Sequence, residues 1–199
     1  MIRLGFILTA YIFLLISFTP ISLAHDGVVH DTPEEAQEHE LESTSSAKVE
    51  MEKVEYELPY PGMLPDNPLY FLKTARDAIV KFLISDSLKE AEFNILTANK
   101  RAYAALLLSE KGNHELTLET ISKSNNYLHE AVVSLGKARE KKMEIGVALD
   151  NAQKSVKKHR DVFSQQIMPN TPEKMKKDLE REIKRLEDIE KAVSSLASK

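Results

Sequence analysis

Residues 128–163, LHEAVVSLGKAREKKMEIGVALDNAQKSVKKHRDVF, repeat apolar side chains at alternating steps of three and four residues. Eleven positions lie on this path from Leu128 to Phe163, and nine are apolar; the exceptions are Lys142 and His159. A seam with this period is typical of α-helices that pack side by side. The stretch therefore predicts an all-α fold.

The length of the helix that carries this seam decides the architecture. If residues 114–167 form one unbroken helix, it is about 80 Å long at a rise of 1.5 Å per residue. Shorter antiparallel helices before and after it would then cover its two halves, giving elongated helical hairpins with a long central helix. We expect this form. The alternative is a break near Gly136 or Gly146, since glycine weakens a helix, which would fold the same segments into a compact four-helix bundle.

Local signals mark the ends of the neighbouring helices. Asn67 and Pro68 predict a cap and first turn for a first helix that reaches about residue 84. Ser87 and Glu90 predict a capping box for a second helix, which ends at Gly112. The first helix repeats apolar residues at helical spacing: Leu69, Leu72, Ile79 and Phe82.

A last helix follows the third stretch, from which Pro169 and Pro172 separate it. Its apolar residues continue the same period: Met175, Leu179, Leu186, Ile189, Val193 and Leu196. We therefore expect its apolar side to face the other helices.

The N-terminus has the three parts of a secretory signal peptide. Arg3 supplies a positive charge, residues 4–18 form an apolar run, and Ser22 and Ala24 are the small residues expected before a cut after Ala24. The run is shorter than the about 20 residues of a membrane span. We predict residues 1–24 as a signal peptide, an extracytoplasmic location (periplasmic, cell-surface or secreted), and no membrane span after cleavage. An uncleaved anchor is the alternative.

Residues 25–57 carry eleven acidic residues and two lysines, with few large apolar side chains. This composition predicts a disordered acidic tether in front of a helical domain at residues 58–199. His25, His30 and His39 lie in the tether, and cleavage would make His25 the N-terminal residue. Because a free α-amine beside an imidazole can chelate Cu(II) or Ni(II), these three histidines are the candidate metal ligands. The alternative is that they are ordinary residues of a polar tail.

The sequence lacks the motifs of common catalytic sites. With no cysteine there is no disulfide, thiolate zinc site or cysteine nucleophile. No His-Glu-x-x-His, Gly-rich phosphate loop or Gly-x-Ser-x-Gly is present, and no histidine follows a glutamate at the di-iron spacing. Basic residues alternate with acidic ones, which argues against nucleic-acid binding. We expect His159, on the apolar seam, to be a buried and hydrogen-bonded core residue.

Residues 64–73, LPDNPLYFLK, resemble the opening motif of domain-of-unknown-function family 5667, an exported bacterial and archaeal family that reads roughly L-P-D-S-P-L-Y-x-L-K. The cap at 85–87 and the helix at 89–101 are similar to the segments that follow in this family. Asn67 replaces the usual serine and Ser87 the usual proline, and both keep capping chemistry. The resemblance covers about residues 58–195 and implies an exported helical domain, with no catalytic residue or substrate to transfer.

These observations favour a non-enzymatic extracytoplasmic helical scaffold or protein-interaction module. Its expected partner is an unknown envelope protein or a second copy of the chain, through helix-in-groove or seam-to-seam contact. We expect no nucleic acid and no cofactor. The alternative function is a periplasmic metal-binding or metal-sensing protein that holds copper or nickel with its histidine-containing tail.

Overall fold

The structure, a computed structural model, describes residues 56–198, and within this range it contains α-helices and no β-strand. The five α-helices are α1 (Tyr70–Leu83), α2 (Ser87–Glu110), α3 (His114–Glu140), α4 (Gly146–Asp161) and α5 (Glu173–Ala197). A π-helical turn (Val162–Ile167) continues α4, and a short 3-10 turn (Met168–Asn170) leads to α5. The predicted all-α fold is confirmed. The predicted signal peptide and residues 25–55 of the predicted tether lie outside the described residues.

Helices α2 to α5 form a four-helix bundle joined by short connections. Both α2 and α5 contact α3 and α4, and α3 also contacts α4. The largest fully buried side chains come from these helices and from the π-helical turn: Leu108, Ile121, Leu128, Leu135, Phe163, Ile167, Leu179 and Leu186. Within residues 56–198, no helix combines the length and the apolar composition needed to cross a bilayer.

Small side chains on α2 allow its neighbours to approach closely. Four alanines of α2 have no exposed surface: Ala91, Ala98, Ala102 and Ala105. Because an alanine projects little from the helix, the larger side chains of the facing helices can fill the space beside it. This accounts for the extensive contact between α2 and α3.

The prediction of one long helix over residues 114–167 is wrong, since α3 ends at Glu140 and α4 begins at Gly146. Lys142 takes a left-handed conformation with φ 58°. Its N–H donates to the Arg139 carbonyl at 2.8 Å, and the Met143 N–H donates to the Ala138 carbonyl at 3.0 Å. These are the two bonds of a Schellman cap, which ends a helix by satisfying its last carbonyls. The chain therefore adopts the bundle alternative rather than the elongated hairpins.

The break lies between the two glycines that the sequence offered for it. Gly136 remains inside α3, and Gly146 is the first residue of α4. The same type of cap closes α2, where Gly112 has φ 74° and its N–H donates to the Ser109 carbonyl at 2.9 Å. The predicted end of the second helix is confirmed at this residue.

The predicted helix starts are displaced by one or two residues. Asn67 does not cap α1; its Oδ1 accepts from the Leu69 N–H at 2.9 Å in a turn that precedes the helix. Asp86, rather than Ser87, caps α2, because its Oδ1 accepts from the Lys89 N–H at 2.9 Å. With Asp86 as the cap, the third helical residue is Lys89 and not a glutamate, so the predicted capping box of Ser87 and Glu90 is wrong.

Candidate interaction surface

Helix α1 is strongly amphipathic, yet none of its residues is buried. Its large apolar side chains are exposed, with 88% of Phe82, 72% of Leu83 and 62% of Ile79 accessible. We call the outward side of this helix the α1 face, which comprises Phe71, Leu72, Ala75, Ile79, Phe82 and Leu83. The half-buried residues of α1 are mostly polar: Tyr70, Lys73, Thr74, Asp77 and Lys81. Helix α1 thus contacts the bundle with its polar side and presents its apolar side to solvent.

Polar and cation–π contacts hold α1 in this orientation. The Tyr70 hydroxyl accepts a hydrogen bond from Arg101 Nη1 on α2 at 3.0 Å. Lys81 forms an ion pair with Glu130 on α3, and its Nζ lies 5.5 Å from the centroid of the Tyr127 ring. The Arg101 guanidinium lies over the same ring at 4.9 Å. These contacts join α1 to two helices of the bundle and fix which side faces outward.

The lead-in segment, residues 56–69, approaches α1 along α2. Lys73 Nζ donates to the Pro61 carbonyl at 2.6 Å. The rings of Tyr60 and Tyr103 meet edge to face, with centroids 6.3 Å apart. The segment is therefore fastened to both α1 and α2.

A cavity of about 190 Å³ lies between α1 and α2, on the side of α1 next to the α1 face. Four of the described residues that line it are cations: Lys73, Arg76, Lys100 and Arg101. Asp77 is the single acid among them and pairs with Arg76 at 2.7 Å. We call this the basic cavity, because its lining carries an excess of positive charge.

Arg101 is the most buried cation of the basic cavity, with 8% of its surface exposed. Its Nε has no hydrogen-bond partner among residues 56–198. The pKa of Lys73 lies below its ordinary value, mainly because the side chain is partly buried. The negative charge of Asp77 opposes this lowering of the pKa. The positive charges of Arg101, Lys100 and Arg76 add to it. An anion placed in the cavity would oppose the lowering, since it would stabilise the charged form of each of these groups.

The sequence profile of one family, described as "Domain of unknown function (DUF5667)", matches residues 62–195. The chain belongs to the DUF5667 family. The resemblance that the motif at residues 64–73 indicated is confirmed. The matched range of the DUF5667 domain includes α1, the bundle and the basic cavity. No curated protein and no solved structure shows significant similarity to the chain.

A buried polar network surrounds His159; it lies within the DUF5667 domain except for Tyr56, which precedes the matched range. His159 Nε2 lies 2.8 Å from Asn99 Oδ1, and Asn99 Nδ2 donates to the Tyr56 hydroxyl at 2.8 Å. The Asn99 oxygen is thus the acceptor, which places the ring proton on Nε2. Ser124 Oγ donates to the Ala98 carbonyl at 2.9 Å, so its proton is not available to His159 Nδ1 at 3.4 Å.

His159 is fully buried, and burial lowers its pKa to about 3. The network contains neutral groups only and offers no carboxylate to stabilise an imidazolium. His159 is therefore neutral at physiological pH. The prediction of a buried, hydrogen-bonded core histidine is confirmed.

The predicted metal ligands His25, His30 and His39 lie outside the described residues. Copper or nickel binding by them stays a prediction from the sequence. Within residues 56–198, no group of three or more histidine, cysteine, aspartate or glutamate side chains could hold a metal ion.

The orientation of α1 is the feature that the sequence analysis missed. Its apolar period predicted a helix correctly, but a period does not say whether the apolar side faces the core. The polar residues opposite, such as Tyr70 and Lys81, form an equally regular stripe. Their partners Arg101 and Glu130 are 31 and 49 residues away in sequence, so spacing alone could not pair them.

Proposed function

We propose that this chain is an exported, non-enzymatic helical interaction module that binds its partner through the α1 face. The observation that carries the proposal is the exposure of that face on a helix whose polar side is tied to the bundle. Large apolar patches are uncommon on the surface of monomeric proteins, and where they occur they mark interaction sites. The surrounding bundle has a well-packed core, so the exposed face is not a sign of incomplete folding.

Two further observations support the other parts of the proposal. The N-terminal arrangement of Arg3, the apolar run at 4–18 and Ala24 supports export. The residues of the α1 face are apolar, and the basic cavity has four cations and one acid among the ten described residues that line it. Such groups supply contact area and charge, which suits recognition better than proton transfer.

Position-specific photo-crosslinking in the producing cell tests the proposal. A photoreactive benzoylphenylalanine replaces Phe82, which is 88% exposed, or Val147 on α4, which is 76% exposed, as the matched control. We expect adducts at position 82 and not at position 147. The adducts should disappear when Phe71→Ser and Ile79→Ser are added, because these changes remove apolar contact without disturbing buried residues. Absence of any adduct at position 82, or equal adducts at both positions, contradicts the proposal.

A further inference from the structure

The side chains around the α1 face identify the chemistry of its partner. We propose that the α1 face and the basic cavity together dock the protein on an anionic phospholipid surface, with α1 lying in the plane of the membrane interface. This inference rests on the proposed function, since it names the partner of the same face.

The first observation is the geometry of the α1 face. At about 100° per residue, its six members fall within an arc of about 120°, and no charged residue lies between them. The polar side of α1 is occupied by contacts with Arg101 and Glu130, so the helix is already folded and oriented. An amphipathic helix that lies in a membrane interface buries one apolar side in this way and places cations at its margins.

The second observation is the position of the cations. Arg76 lies at the margin of the α1 face, beside Leu72 and Leu83 on the helical wheel, and 68% of its side chain is exposed. Lys100 of α2 lines the same surface groove as Leu72 and Arg76. Negative phosphates of a lipid headgroup layer would meet these cations at the depth where the apolar side chains enter the acyl region.

The third observation is the unsatisfied nitrogen of Arg101. Its Nε lacks a hydrogen-bond partner among the described residues, and Arg101 lines the basic cavity. A phosphate oxygen accepts hydrogen bonds from arginine readily, so a headgroup phosphate provides what the described protein groups do not.

A second copy of the chain fits this surface less well. The face of a 14-residue helix is only about 21 Å long, so a second copy would be held by a single short helix pair. Two copies of α1 that pack face to face and antiparallel around a two-fold axis would place Arg76 of one copy on the same side of the interface as Arg76 of the other. The two basic cavities would then repel each other.

The acidic segment of the same chain is also a poor occupant. Residues 25–57 match the charge of the basic cavity, with eleven acidic residues against two lysines. They contain one leucine, no isoleucine and no phenylalanine, so they offer little large apolar surface to pack against the α1 face.

Tryptophan fluorescence tests the docking directly, because the chain contains no tryptophan. The exported chain carries Phe82→Trp as the reporter or Val147→Trp as the control, and it is mixed with vesicles of phosphatidylglycerol or of phosphatidylcholine. We expect a blue shift only for Phe82→Trp and only with phosphatidylglycerol, weakening as salt screens the charges. No shift with phosphatidylglycerol, or the same shift at both positions, overturns the inference.

Vesicle co-sedimentation separates the two parts of the surface. Phe71→Ser with Ile79→Ser, and separately Arg76→Glu with Lys100→Glu, should each weaken binding by about tenfold or more. The matched controls are Val133→Ser with Val147→Ser, and Lys177→Glu with Lys184→Glu on α5. All four positions are exposed and lie outside the α1 face and the basic cavity, and both control variants should bind as the parent does. Unchanged thermal unfolding, followed by circular dichroism, shows that the variants are folded. Equal binding by all variants overturns the inference.

The two proposals can fail separately. If vesicles do not bind while position 82 captures one protein reproducibly, the partner is a protein and the lipid inference falls, but the interaction module stands. Self-association in sedimentation velocity that Phe82→Ser abolishes would overturn the lipid inference in favour of a second copy. If position 82 neither crosslinks nor meets lipid, both proposals fall.

Discussion

Acidification should destabilise the bundle through His159. The folded chain lowers the pKa of this residue from 6.5 to about 3, because the ring is fully buried among neutral groups. An unfolded chain exposes the ring to water and binds a proton near pH 6.5. Between these two values the unfolded state holds a proton that the folded state does not, so the free energy of unfolding falls as the pH falls.

The magnitude follows from the width of the pH window. Each pH unit below 6.5 removes about 1.4 kcal/mol, so the loss at pH 5 is about 2 kcal/mol relative to pH 8. This is a large share of the 5–15 kcal/mol that stabilises a typical domain. The stability that depends on a neutral His159 is fully present at pH 8. It is lost progressively as the pH falls below 6.5, until the pH reaches about 3.

Urea unfolding followed by circular dichroism, at pH 8, 7, 6 and 5, measures the effect. The variant His159→Gln has no titrating ring but keeps an N–H that can donate to Asn99 Oδ1. It should be less stable than the parent at pH 8, and the difference should shrink by about 2 kcal/mol on going to pH 5. His129→Gln, at an exposed position of α3, controls for the loss of one histidine. A parent–variant difference that does not change with pH would refute the reasoning.

Three further predictions concern stability and metal binding. Asn94 is fully buried, and neither its side-chain oxygen nor its nitrogen has a hydrogen-bond partner within residues 56–198. Asn94→Leu should therefore raise the free energy of unfolding, measured by urea denaturation, by about 1–3 kcal/mol. A lower free energy of unfolding would contradict this prediction. Lys142 has a φ of 58°, a conformation that is costly for a β-branched residue and not for glycine. Lys142→Val should therefore lower the free energy of unfolding by about 1–2 kcal/mol, while Lys142→Gly should not. Equal melting temperatures of the two variants would argue against a strained backbone at this residue. If the metal hypothesis holds, calorimetric titration of the processed chain with Cu(II) should show a binding event that acetylation of the His25 α-amine removes, and no tight binding would end that hypothesis.

The sequence predicted the helices well because their signals are local. Apolar periodicity over many residues identified the helical segments, and Gly112 marked the end of α2, since glycine reaches positive φ without strain. The turn at residues 141–145 uses the same Schellman geometry with a lysine at the left-handed position. Lys142 interrupts the apolar seam, as expected of a kink or a solvent-exposed stretch, but a lysine gives no signal for a positive φ. The sequence therefore pointed to the neighbouring glycines for a break, and its long apolar period favoured a continuous helix.

The buried network was predictable only in part. The place of His159 on the apolar seam indicated that the ring would be buried. Its partners Asn99 and Ser124 belong to α2 and α3, and the break after α3 is what brings α4 against both helices. Because the sequence did not fix the position of the turn between α3 and α4, it could not predict that His159 would contact Asn99 and Ser124.

The orientation of α1 follows from Arg101 more than from its own sequence. A rotation of α1 by about 180° around its own axis would bury Ile79, Phe82 and Leu83 against the bundle. Burying one large apolar side chain adds about 1.5–3 kcal/mol to the free energy of unfolding. The same turn would break the hydrogen bonds and ion pairs on the polar side of α1, which are partly exposed and worth about 1 kcal/mol each. Apolar burial alone would therefore favour the rotated helix. Rotation would, however, cover the guanidinium of Arg101 with apolar side chains and remove the Tyr70 hydroxyl to which it donates, and burying a charged group with fewer hydrogen bonds costs several kcal/mol. Arg101 thus keeps the α1 face outward. The apolar side chains of this face stay exposed, and a partner can bury them.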